Sequence, residues 1–243
     1  MASNLNIEKA AAEFRSQHGY SSLKPIRVES LFIDLNILTA FKNMEGSFSG
    51  MSLKIEGFKF MLINSAHSIG RQHFTIMHEL YHLFIQEDFE KAICVEGLTD
   101  RKKEESLADS FAANLLLPRD GVLKLIKDDN ELKKDKISIN TILELEQYFS
   151  SSHRAMLNRL QQLNLISKEY AESFSENIKK YALEYGHDVS LYNPGNAGLI
   201  IGDYGAKAKR LYDREIISET HYIELMRNLG IDLEQEHNNS DES

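Results

Sequence analysis

A single cysteine, Cys94, occurs in the 243 residues, so no disulfide can close within the chain and nothing in the sequence marks an oxidising compartment. A lone cysteine of this kind reads as a small apolar core residue, not as a metal ligand. Also missing is any run of about twenty apolar residues, and the segment from Met1 to Ala10 has no basic stretch followed by an apolar one. The expectation is a cytoplasmic protein without a membrane span. Basic residues are in the minority, 28 Lys and Arg against 37 Asp and Glu, for a net charge of -9. That balance argues against a protein whose main task is to coat nucleic acid, because phosphate is met largely by Lys and Arg. Five of the acids fall between Asp232 and Ser243, where no Lys or Arg occurs, which leaves about -4 on the rest. The global sign therefore decides little.

Hydrophobic residues make up 42% of the chain and charged ones 27%, enough to bury a full core in one large or two small domains. The strongest pattern is Arg71 to Gln86, an apolar, helix-length stretch that holds His78-Glu79-Leu80-Tyr81-His82. On a helix, residues four apart lie about 40° apart around the axis and roughly 6 Å along it. Both imidazoles can then reach one ion. Glu79 follows the first histidine directly, off the ridge that carries the ligands, where its carboxylate can hold a metal-bound water and act as general base. Phe74, Ile76, Met77, Leu80, Leu83, Phe84 and Ile85 cover most of the remaining circumference, so the helix should be buried.

A second stretch, Glu104 to Pro118, supplies a third ligand. Catalytic zinc takes three protein ligands and leaves a fourth position open, and two histidines with a glutamate form one such set. Glu105 fills that place better than Glu104, which points about 100° away. Asp109, one turn after Glu105, can accept a hydrogen bond from a ligand histidine and fix its tautomer.

With both motifs in view, the sequence resembles the ImmA/IrrE family of zinc metallopeptidases. The resemblance rests on His-Glu-x-x-His preceded by Arg71-Gln72-His73-Phe74-Thr75, and on a second signature read here as Glu105, Ala108, Phe111, Ala112, Leu115, Leu116 and Pro118. It implies His78, His82 and Glu105 as metal ligands, Glu79 as the catalytic glutamate and Asp109 as the aspartate behind the ligands. Tyr81 departs from the pattern, since relatives commonly carry glycine there. A bulkier wall beside the metal is then expected to narrow substrate access.

Along the rest of the chain, residues 4–18 read as an amphipathic helix and Val28 to Phe41 as another. Residues 46–63 alternate around Glu56-Gly57, which predicts a β-hairpin. Its Phe48 to Ile55 half is expected to form a sheet edge on which extended substrate adds as a strand. Gly97, Thr99 and Asp100 read as turn and capping residues between the metal helices. Helices over Ile139 to Tyr148 and His153 to Leu163 have helix-turn-helix spacing, the second carrying Arg154 and Arg159, so direct DNA contact is a secondary expectation. Tyr148, His153 and Arg154 are candidate donors to the oxyanion of the tetrahedral intermediate. Ser167 to Tyr185 reads as one long helix, His187, His221 and His237 as surface residues, and no internal repeat is apparent.

The reading is an α+β fold. A mostly helical, zincin-like metallopeptidase domain with a small antiparallel sheet spans 1–130, a helix-turn-helix-like region 131–168, a helical C-terminal region 169–231, and an acidic tail without fixed structure 232–243. The leading function is a zinc-dependent endopeptidase; manganese or iron also suits two imidazoles and a carboxylate. By the resemblance, its partner is a helix-turn-helix repressor of the phage or mobile-element type. Two alternatives belong to other classes: a metal-containing module that binds a repressor or antitoxin without cutting it, and a DNA-binding transcriptional regulator.

Overall fold

The computed structural model describes residues 2–87, 91–95 and 102–231. Helix α1 spans Ala2–Gln17 and buries Ile7, Ala11 and Phe14 at helical spacing. Helix α2 covers only Val28–Asp34. The helix expected as far as Phe41 ends because Asn36 takes a left-handed conformation, φ 51, which a short amide side chain tolerates. Beyond it the burial period switches from helical to two: Ile37, Thr39 and Phe41 point inward from strand β1, Ile37–Lys42.

The hairpin forms as expected, from β2, Phe48–Ile55, and β3, Phe58–Asn64. Its turn places both Glu56 (φ 46) and Gly57 (φ 84) in the left-handed region, the geometry whose twist matches that of paired strands. Helix α3, Ile69–Phe84, follows, then strand β4, Lys91–Val95, and helix α4, Lys102–Leu116. The five-stranded sheet has the order β4-β2-β3-β1-β5, where β5 is Ile200–Ile201. It is mixed, not wholly antiparallel, because β1 runs parallel to β3. Nor is β2 an edge. Ser52 pairs with Met61 on β3 and with Ala92 on β4, so among the described residues β4 is the outer strand. Too short and too mixed in composition for a strand signal, 91–95 was legible only as part of a charged connection. The Gly97, Thr99 and Asp100 turn lies outside the described residues.

Helix α3 lies along β2 in a matched register. Gly50 approaches Thr75 and Glu79, the Ser52 hydroxyl meets the Glu79 carboxylate, and Lys54 Nζ reaches the Leu83 carbonyl at 3.4 Å. Two residues of strand advance roughly 6.6 Å and four of helix roughly 6 Å, so every second strand residue meets every fourth helix residue. A Cβ on Gly50 would sit 2.7 Å from Thr75 Cγ2 and 3.3 Å from Glu79 Oε1; only glycine permits this approach. On its other side α3 packs on α4, which buries Ala108, Phe111, Ala112 and Leu115.

The remaining helices are α5 (Arg119–Leu125), α6 (Ile139–Phe149), α7 (His153–Gln162), α8 (Lys168–Ser173), α9 (Ile178–Glu184), α10 (Tyr204–Asp213) and α11 (Glu219–Arg227). The single helix expected over Ser167 to Tyr185 is broken into α8 and α9, with Asn177 left-handed at φ 62. The α6–α7 pair packs into the same core as α1, α3 and α4. Its turn presses on the start of α3, where a Cβ on Gly70 would come within 2.6 Å of the Ser152 backbone nitrogen. Arg159 is buried: its Nε donates to the Leu117 carbonyl at 2.8 Å and its Nη2 to Asn114 Oδ1 at 2.7 Å. A guanidinium so placed closes the end of α4 and does not face a phosphate. Among the described residues no helix is long and apolar enough to cross a membrane.

Beneath the α6–α7 turn lies a buried charge pair. Glu146 accepts from His153 Nδ1 at 2.6 Å and from the Tyr192 hydroxyl at 2.8 Å, while His153 Nε2 faces the Phe174 carbonyl at 2.7 Å. With an acceptor at each nitrogen the ring is held as imidazolium. Burial alone would lower its pKa, but the Glu146 hydrogen bond and charge, with the Phe174 carbonyl, leave it raised. The proton is therefore bound more tightly in the folded chain. Its stabilisation is complete below the ordinary histidine value of ~6.5 and is lost as the pH climbs through the raised folded value. Thermal midpoints measured from pH 6 to pH 9 should fall by several degrees, about 2–4 °C for each ~1 kcal/mol. His153→Gln should lower the midpoint at pH 6 and flatten the profile; an unchanged slope would disprove the assignment.

Candidate metal centre

Helices α3 and α4 bring His78, His82 and Glu105 to one point. One ligand atom from each lies within 4.8 Å of the others. The two Nε2 atoms are 3.2 Å apart, and the Glu105 oxygens lie 3.0 Å from His78 Nε2 and 3.8 Å from His82 Nε2. His78 and His82 are buried, on a helix enclosed on nearly every side, while Glu105 is partly open.

The outward ring nitrogens decide which groups this point can hold. His78 Nδ1 faces Asp109 Oδ1 at 2.8 Å, and His82 Nδ1 faces Gln86 Oε1 at 2.6 Å. Each Nδ1 meets an acceptor and so carries the hydrogen, which leaves Nε2 of the neutral ring as a lone pair. Two lone pairs and a carboxylate then converge on a common volume. Two ligands about 2.0–2.1 Å from a shared tetrahedral centre would stand about 3.3 Å apart, close to the separation of the two nitrogens. The donor set fits a divalent transition metal.

Glu79 lies on the neighbouring face, fully buried against β2. Its Oε2 accepts from Ser52 Oγ at 2.6 Å, and its Oε1 finds no hydrogen-bond partner among the described residues. One oxygen is held and the other is left to act.

Two residues of the site were not anticipated. Gln86 had a readable signal, since it continues the four-residue ridge of His78 and His82. Ser52 had none, because the strand face that meets a helix is fixed only by the tertiary register. Tyr81 stands beside the site, its ring 5.5 Å from that of His82, but is turned into the core. It is 4% exposed, its ring lies 5.9 Å from that of Phe111, and its hydroxyl donates to Glu104 at 2.9 Å. Burial, then the Glu104 hydrogen bond and charge, push the phenol upward. Glu104 is thereby engaged away from the ligands.

The candidate oxyanion donors are occupied elsewhere or turned outward. Tyr148 donates to the Leu23 carbonyl at 2.8 Å, His153 belongs to the buried pair with Glu146, and Arg154 is exposed on α7. His221 is exposed and His187 only half-buried, while His237 lies outside the described residues.

A sequence profile of the IrrE N-terminal-like domain, Peptidase_M78, matches residues 33–161, a little over half of the chain, including β2, α3 and α4, which carry Ser52, His78, Glu79, His82 and Glu105. No curated protein matches the chain. Asp109, with most of its side chain exposed, holds His78 and contributes little to the fold. Asp109→Ala should weaken metal binding about 10–100-fold in a competition titration and leave the melting midpoint of the metal-free protein unchanged.

Proposed function

The chain belongs to the IrrE N-terminal-like domain family of peptidases, and we propose from that premise that it is a zinc-dependent endopeptidase acting on a regulatory protein, in the first place a helix-turn-helix repressor. The observation that carries the reading is the convergence of His78, His82 and Glu105 beside a buried Glu79 carboxylate. Two imidazoles and a carboxylate are a recognised zinc set with room for a further ligand. When bound, the ion supplies Lewis acidity, polarising a carbonyl oxygen and lowering the pKa of water toward ~7.

The chain's own residues do the rest. Asp109 and Gln86 hold the two rings in the tautomer that presents Nε2. Glu79 takes a proton from the attacking water at its unpartnered Oε1 and passes it to the amine nitrogen as the peptide C–N bond breaks. An extended substrate adds along β4, the outer strand of the sheet among the described residues.

The test uses purified wild type, Glu79→Gln and chelator-treated protein against the helix-turn-helix regulator encoded beside this chain, with metal content measured on each. Glu79→Gln should retain the metal and lose about 10²–10⁴ in turnover, the range for a positioned acid–base group. Chelation should abolish cleavage and zinc restore it. If all three preparations bind the regulator equally and none cuts it, the protein is a binding module and the peptidase reading fails.

A further inference from the structure

The Ser52–Glu79 contact unites the two halves of the site in a way that neither motif contains. Ser52 sits in the middle of the sheet, its backbone paired to Met61 on one side and Ala92 on the other. Its position is therefore fixed by two ladders. Both side chains are fully buried, and the 2.6 Å separation is that of a hydroxyl donating to a carboxylate. The register of α3 on β2 leaves no other placement: Gly50 opens the space, Ser52 fills the next rung, and Thr75 and Glu79 are the helix residues that face them.

A buried carboxylate with one oxygen unpartnered is costly, and here the cost is arranged asymmetrically. Oε2 is satisfied and Oε1 is not. Without the hydroxyl, both oxygens would be buried without donors, and the side chain would have every reason to turn toward another partner, a bound cation included. We propose that Ser52 is a positioning residue for the reaction. Its hydroxyl fixes the Glu79 carboxylate by Oε2, keeps it off the metal, and leaves Oε1 as the atom that moves the proton. This inference rests on the peptidase reading above.

Two measurements test it, one of them independent of turnover. In metal-free protein, Ser52→Ala should lower the folding equilibrium constant roughly 10–100-fold, because it strands a buried carboxylate. In a Glu79→Ala background the same change should cost less than about 3-fold, the signature of two coupled residues. In the zinc-loaded protein, Ser52→Ala should lower kcat about 10–100-fold on the neighbouring regulator while KM and bound zinc stay as in wild type, since only the proton-moving group is displaced. Equal cost in both backgrounds, or a Ser52→Ala enzyme with wild-type kcat, overturns the proposal. A wild type that cuts nothing sinks the peptidase reading and the catalytic role with it, and the folding cycle then reports separately whether the pair is coupled.

Discussion

Three electron-pair donors, the Nε2 atoms of His78 and His82 and the Glu105 carboxylate, crowd together, with His78 Nε2 at hydrogen-bond distance from both of the others. Groups of that kind repel unless a cation joins them, so bringing them to one point takes a force of its own. The packing supplies it. Helix α3 is clamped by β2 on one side and α4 on the other. At its first turn the Gln72 amide donates to the Gly195 and His67 carbonyls, and Asn196 donates to Gln72 Oε1. Distant segments converge on one helix because that helix has to be rigid.

The same demand falls on α4, and two arginines meet it. Arg15 of α1 donates to the Leu115 carbonyl, and Arg159 of α7 to that of Leu117. Both guanidiniums are brought down to about 10 by burial, which still leaves them charged at neutral pH. Cations at a helix C-terminus meet both the unsatisfied carbonyls and the dipole. Arg159, which by sequence suggested a phosphate contact, thus serves the metal helix from below.

Glu105 as the third member of the candidate site was read from the chemistry of a zinc set and the family resemblance, whereas the spacing within each helix was legible in the sequence because it depends on local periodicity, four residues from His78 to His82 and one turn from Glu105 to Asp109. The fold class was legible for the same reason. What could not be read depends on contacts between segments far apart in the chain. Asn36 ends a helix that apolar spacing alone would extend, because a parallel partner, β3, is waiting for Ile37 to Lys42. The position of β2 inside the sheet follows from the return of β4, a strand of five residues. For Tyr81 the sequence gives bulk but not direction, which Phe111 and Glu104 determine.

The pairing of strand and helix steps has a consequence for how such a chain can change length. Inserting one residue into β2 ahead of Ser52 would turn the hydroxyl to the opposite face of the sheet and bring Met51 toward α3 in its place. Inserting two would keep the face but slide each contact by one rung, setting Gly50 where the hydroxyl belongs. Length variation in relatives should therefore be accommodated in the connections on either side of the hairpin, around Glu45 and after Asn64, and hardly ever within β2 itself.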